Sequence, residues 1–420
     1  MSTLRSIFTN PDLRKRILFT LGMLVIFRLL AHIPMPGVDL AALKEFFARN
    51  ELFGILNLFT GGSLQNFSLV LMGVGPYITA SIIFQLLVVI VPSLEELQKE
   101  GEQGRQKVNQ YSRMAAVPLG ILQGYGTLAL LRNQGIIGSF GSLELITVLL
   151  SITAGTMLLL WLGELISERG IGNGVSLIIT LGILAGLPTS LSQTFAVVDQ
   201  QGLINLLTFV IISILVTVAI VFVNEGERQI PITYARRVRG AEGGSGVATY
   251  LPLKVTMAGV IPIIFALSVM IFPPVVARFV QTSSLDWVRH AADFTIKLFA
   301  NTTFYPSAYF VAVLLFTFFY TFVVFQPDQV AENIQKQGGF IPGLRPGHET
   351  AMYLGTVLGR ITLFGALFLG LIAVLPYVVQ SLTNIQTLVL GGTGILIVVA
   401  VSLDTMRQIR AQLVTRRYEF

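Results

Sequence analysis

Ten apolar stretches, each close to the length that crosses a lipid bilayer, dominate what this chain can fold into. They run Ile17–Ile33, Leu69–Val91, Met114–Leu131, Leu145–Gly163 and Gly174–Leu191, then Leu203–Val223, Val255–Val276, Ala308–Phe325, Met352–Val379 and Leu388–Leu403. A helix needs about 20 mostly apolar residues to cross the hydrocarbon core. Only helices and closed barrels satisfy every backbone polar group there. Charged residues make up 12% of the 420, about half of the roughly 25% that covers a soluble domain. A soluble enzyme, a disordered chain and a coiled coil are therefore excluded. The expected fold class is an all-α polytopic membrane protein with ten transmembrane helices. The first stretch follows a basic N-terminus, as the apolar core of a signal peptide would. Its internal Arg28 and the nine stretches behind it mark it as a retained helix.

The basic residues are sorted between the two sides. Of 28 lysines and arginines, 20 lie at the two termini and in the links after the even-numbered spans, and 6 lie in the other links. Arg28 and Arg360 fall inside spans. Basic residues stay on the cytoplasmic side, so this bias predicts ten spans with both termini cytoplasmic. Ten spans divide into halves of five, residues 1–200 and 201–420, which enter the membrane from opposite sides as an inverted repeat does. The polar run Asp199-Gln200-Gln201-Gly202 is the expected hinge.

The chemistry-bearing residues are informative by their positions. Ion-coupled transporters place acids, histidines or lysines at mid-membrane. Here Glu164 and Asp404 sit at span ends, and His32, His290 and His348 lie outside span centres. No metal-ligand cluster, phosphate-binding loop or catalytic triad is present, so no catalytic residue, metal or cofactor is expected. There are no cysteines. Gly243-Gly244-Ser245-Gly246 sits in a polar link without a strand-to-helix elbow and reads as flexible connection.

Leu52–Phe59 is apolar but too short to span, and Gly61 and Gly62 separate it from the second stretch. A re-entrant element buried in protein and a helix lying on the membrane surface both fit this pattern. Two predicted cytoplasmic loops are long and punctuated. Residues 224–254 carry Arg236, Arg237 and Arg239, and residues 326–350 contain Gly338-Gly339, Pro342-Gly343 and Pro346-Gly347. Such turn chemistry predicts ordered, protruding hairpins. Basic loops of this kind fix topology and touch anionic lipid, and they can also dock a partner.

Five motifs in order resemble the SecY family, the large subunits of the Sec protein translocon. They are Arg28-Leu-Leu-Ala-His-Ile-Pro-Met-Pro-Gly37 after the first span, Gly75 to Leu87 in the second and Glu168-Arg-Gly-Ile-Gly-Asn-Gly174 before the fifth. Leu251-Pro-Leu-Lys254 with Gly259-Val-Ile-Pro262 opens the seventh, and Gly343-Leu-Arg-Pro-Gly347 lies between the eighth and ninth. The resemblance covers essentially the whole chain. It implies a clamshell of two inverted five-helix halves around an hourglass pore, with a lateral gate between spans two and three and spans seven and eight.

In that frame Ile78, Ile82, Ile183, Ile264 and Ile397 match a ring of apolar side chains that narrows the pore, with Ile179 as a neighbour. Residues 52–67, including Leu52, Phe53, Gly54, Ile55, Leu56, Gly61 and Gly62, match a plug. Arg236, Arg237 and Arg345 match positions that dock the SecA motor ATPase or the ribosome. The resemblance further implies SecE-like and SecG-like small membrane subunits, and signal sequences and nascent polypeptides as cargo. The implied function is passive passage of unfolded polypeptides across the bacterial cytoplasmic membrane and lateral release of membrane segments, without enzymatic activity. The contrasting reading is an inverted-repeat secondary transporter, against which the lack of mid-membrane carboxylates weighs.

Overall fold

A computed structural model describes residues 10–35, 38, 43, 60, 62–133, 135–138, 141–196, 200–234, 247–257, 259–281, 285–383 and 389–417. Ten long helices overlap the ten apolar stretches. The first set is α1 (Pro11–Leu30), α2 (Gly75–Ile90), then, after the short α3 (Pro92–Lys99), α4 (Glu102–Asn133), α5 (Ser142–Arg169) and α6 (Gly174–Ala196). The second set begins with α7 (Gln200–Glu225), followed by strands β1 (Glu227–Tyr234) and β2 (Val247–Lys254). It continues with α8 (Ile261–Val280), α9 (Asp286–Phe299), α10 (Phe304–Phe325), α11 (Pro327–Lys336), strand β3 (Gly339–Phe340), α12 (His348–Thr383) and α13 (Val389–Arg417). By length and composition alone, residues 142–169, 304–336 and 348–379 can each cross a membrane, with mean hydropathy of 2.2 to 2.3 over their most apolar windows.

Three helices stand where the apolar pattern is silent. α3 is joined to α2 at a bend of 99°, because Pro92 at its first turn interrupts the helix and leaves Val91 extended. α11 begins on Pro327 after Gln326 takes a left-handed conformation at φ 43. α9 lies between α8 and α10. The second span starts later than its apolar run, at Gly75 rather than Leu69. Gly73 has φ +55, and Pro76 stands in the first turn, where its missing N–H costs nothing. Gly259 at φ +60 and Pro262 delay α8 in the same way. Residues 62–74 form turns instead, and Ser68 bridges to Pro34.

Packing depends on glycines at a few helix crossings. A Cβ on Gly155 of α5 would overlap the Leu69 carbonyl, so only glycine lets the 69–70 backbone lie against that helix. α5 and α6 fold back on each other where a Cβ on Gly174 would strike the Gly163 carbonyl. The main core draws on both helix sets, including Phe27, Leu159, Ile178, Ile220, Ile263, Tyr309, Leu369 and Leu396. A second core joins Met35, Leu64, Phe67 and Leu71 to Leu128, Ile137 and Ile152.

The link 224–254 is a hairpin, as its turn chemistry predicts. β1 and β2 pair antiparallel from Glu227 with Lys254 to Tyr234 with Val247. The link 326–350 departs from the expected hairpin: it forms α11 and the two-residue β3. β3 adds to the other edge of β1 through Thr233 with Phe340 and Tyr234 with Gly339. The two loops thus build one three-stranded sheet, ordered β2-β1-β3. Gly339 is required at this seam, since a Cβ there would sit 2.8 Å from Cε1 of Tyr234.

Candidate functional site

Two features frame the candidate site: the apolar core shared by the two helix sets, and the sheet raised at one end. Four of the five isoleucines expected in the ring lie in or against that core. Ile183 of α6, Ile264 of α8 and Ile397 of α13 belong to one buried cluster, and Ile78 of α2 packs against it. Ile179 joins the same cluster. Gly394 of α13 admits Ile183, whose Cγ2 lies 2.8 Å from where a Cβ would stand. Ile82 is also buried, at 5% exposure, but it is not part of that cluster. β-branched side chains are stiff at χ1, so these isoleucines give that part of the core a fixed shape without charge or hydrogen-bonding capacity.

The helices of the expected gate are adjacent: α8 touches both α2 and α4. Within the first set, Nε2 of Gln123 donates to Oγ1 of Thr79 at 3.3 Å, tying α4 to α2. Nε of Arg113 sits 2.7 Å from the Glu164 carboxylate, tying α4 to α5. Of the plug residues, Gly62 is described, with φ +78. Leu52, Phe53, Gly54, Ile55, Leu56 and Gly61 lie outside the described residues, as do Arg236 and Arg237, which come after β1 in the sequence.

Arg345 is held by its backbone and presented by its side chain. It lies between Gly343 at φ +86 and Gly347 at φ +104, conformations that glycine adopts without steric cost. The Arg345 carbonyl accepts from Oγ1 of Thr350 at 2.9 Å, and its N–H donates to the Glu349 carboxylate at 3.3 Å. The residue itself is exposed. Beneath it, Ile230, Ile232, Leu253, Ala331, Ile334, Ile341, Ala351 and Leu354 form a separate apolar core that fastens the sheet to α11 and α12. The sheet is therefore a small rigid module, and Arg345 is fixed relative to β1 although more than a hundred residues separate it from β1 in sequence.

The sequence motifs do not announce how the end of α13 is held. Nη2 of Arg407 donates to the Asn224 carbonyl at 2.7 Å, and the Gly172 N–H donates to Oε1 of Gln408 at 2.9 Å. The available signal is compositional: polar residues continue 14 positions past the last apolar stretch, from Asp404 to Arg417, in a helix. These contacts bring the link 170–173, the base of the hairpin and the end of α13 to the same end of the bundle. Leu13 joins them there through its packing with Ile171, Ile409 and Leu413. α1 therefore runs away from the sheet and α7 runs toward it, so the two sets are oppositely directed.

Two oppositely directed helix sets around a shared apolar core, with a raised sheet at one end, make up the fold of a protein-conducting channel. A solved structure described as "The structure of a protein conducting channel" superposes with a TM-score of 0.65 at 19% identity, covering 95% of this chain and 92% of that one. The structure described as "Sec61 in the Canine ribosome-channel complex from the endoplasmic reticulum" does so at 0.62 and 18% identity, with coverage of 95% and 92%. The SecY family model matches residues 68–406. The protein translocase subunit SecY of Thermus thermophilus is 44% identical over 425 residues, 97% of this chain and 94% of the relative. That of Mycobacterium leprae is 42% identical over 439 residues, 100% of this chain and 98% of the relative. The chain belongs to the SecY family, and its role is that of a channel subunit of the Sec translocon, not of an enzyme.

Proposed function

We propose that this chain conducts unfolded secretory polypeptides across a bacterial cytoplasmic membrane, with both termini and the three-stranded sheet on the cytoplasmic side. Residues 1–200 and 201–420 act as its two halves. Ile78, Ile82, Ile183, Ile264 and Ile397 form the constriction, and residues 52–67 close the funnel beyond it. A narrow apolar constriction dewets and blocks ions, while offering no fixed charge or hydrogen bond that would select one polypeptide over another. The passing chain supplies its own displacement of the wall, and the channel relaxes behind it. Signal sequences enter between α2 and α4 on one side and α8 and α10 on the other. Their binding shifts a closed population toward an open one.

The sheet with Arg236, Arg237 and Arg345 receives the motor, a SecA ATPase or a translating ribosome. The latter source of force fits the fold neighbour described as a ribosome-channel complex. SecE-like and SecG-like small membrane subunits complete the assembly, and anionic lipid meets the basic termini. The observation that carries this reading is the apolar core to which α6, α8 and α13 contribute Ile183, Ile264 and Ile397 and against which Ile78 of α2 packs. Reconstitution of the complex in vesicles with SecA, ATP and a signal-bearing precursor tests it. Precursor becomes protected from added protease in an ATP-dependent manner. Solute uptake driven by an ion gradient, with no protected precursor, would replace this reading with that of a secondary transporter.

A further inference from the structure

The last turns of α13 grip one element from each helix set. Toward the first set, Oε1 of Gln408 accepts the Gly172 N–H at 2.9 Å. Thr405 fills the space beside Gly172, its Oγ1 lying 3.1 Å from where a Cβ would stand. Gly172 has φ +84, so glycine is needed there on two counts. The neighbouring Ile171 donates its N–H to Oγ1 of Thr20 at 3.1 Å and packs with Leu13, Ile17, Ile409 and Leu413. The 170–173 link and α1 therefore move with the end of α13.

Toward the second set, Arg407 reaches the C-terminus of α7. Its Nη2 donates to the Asn224 carbonyl at 2.7 Å, and its Nη1 lies 3.4 Å from Oδ1 of Asp404. A cation suits a helix C-terminus, where carbonyls lack intrahelical donors and the dipole is negative. Asn224 is 7% exposed and lies three positions before β1. Its Oδ1 accepts from Oγ1 of Thr256 at 2.8 Å, two positions past β2. This one asparagine therefore binds the roots of both strands of the hairpin and hands them to Arg407.

Consecutive residues on a helix point about 100° apart, so Arg407 and Gln408 reach different neighbours from one rigid turn. We propose that these two side chains are positioning residues for translocation: they form a strap that carries a displacement of the docking sheet to the 170–173 link and α1, on the opposite half. The proposal rests on the reading of the sheet as the motor's docking surface. Arg407→Ala or Gln408→Ala should leave the motor bound but uncouple its push from the far half.

The chain has no cysteine, so Arg169→Cys and Arg228→Cys supply one spin-label pair, exposed and on opposite sides of the strap. The whole channel complex in vesicles is then examined by pulsed electron paramagnetic resonance, SecA binding and precursor protection. The expected result is a broadened label distance with SecA affinity unchanged, and translocation lowered about tenfold by Arg407→Ala, as for one lost charge-assisted hydrogen bond, and less by Gln408→Ala, whose lost bond is neutral. Arg407→Lys restores most of the rate, and the double variant is no worse than the poorer single one. An unaltered distance distribution together with unaltered translocation in both alanine variants overturns the proposal. If either alanine variant does not assemble, Gln408→Glu, which keeps an acceptor, is compared with Gln408→Met, which lacks one. Equal behaviour of that pair also overturns it. Arg345→Glu serves as the separate control: tight SecA binding by that variant refutes the docking reading, and the label distances then decide the strap alone.

Discussion

Gly155 and the ring isoleucines impose opposite demands at single positions. At Gly155 any side chain overlaps the backbone at Leu69. Gly155→Ala is expected to destabilise the protein by about 1–3 kcal/mol, the usual cost of overpacking, seen as a lower melting temperature in detergent. Among the isoleucines the demand is for apolar volume. Ile183→Asn and Ile264→Asn place an amide in the shared cluster, wet it and raise resting ion conductance in planar bilayers. Ile82 is buried but is not among that cluster's residues, so Ile82→Asn is expected to raise conductance less. Equal conductance of all three variants and the parent would remove the ring assignment. The ring assignment rests on motif resemblance alone, since an isoleucine in an apolar helix has no local mark of a pore. Gly155 was illegible for a related reason: its neighbour is a backbone segment 86 positions earlier, and nothing near it in sequence encodes that contact.

At the scale of elements, the ten apolar stretches each became a helix, because burying an unpaired backbone in lipid costs more than any local preference. Their ends moved where Gly73, Gly259, Pro76 and Pro262 control the first turn, and those residues were visible in advance. α11 was legible too: Pro327 at its first turn, Asp328 beside it and Lys336 in its last turn are helix-boundary signals. The union of two distant loops was not, because β3 is only two residues long and its partner strand lies far away. If the sheet docks the motor as proposed, that short seam is decisive for it. Gly339→Val drives a side chain into the Tyr234 ring, and SecA affinity is expected to fall while the helices stay folded. Arg345→Glu is expected to abolish SecA-driven translocation with the complex intact by gel filtration. Normal translocation by Arg345→Glu would show that the arginine does not dock the motor.

For the whole molecule, the asymmetry of charge becomes a statement about sides. Lys99, Arg113, Arg169, Arg228, Lys254, Lys336, Arg345 and Arg407 lie in or beside the links and helix ends after even-numbered spans, and the sheet rises at the end where Arg169 and Arg407 also lie. A single cysteine at Arg169 is expected to be shielded from a membrane-impermeant thiol reagent added outside intact cells, and one at Lys297 to react. Labelling of both from outside would overturn the orientation. The alternation of basic residues predicts an even number of spans, whereas which helix touches which was not legible, since apolar faces of similar composition can pair in many ways.

The order in which the chain is made gives the sheet one more property. β1 and β2 are complete by residue 254, but the strand that finishes the sheet is at 339–340 of 420, so the docking surface first exists when about four-fifths of the protein has been synthesised. Arg407 and Gln408 come later still. If the sheet docks the motor and Arg407 and Gln408 transmit its push, a partly made chain lacks both, and sequence order itself would delay recruitment until the channel is nearly complete.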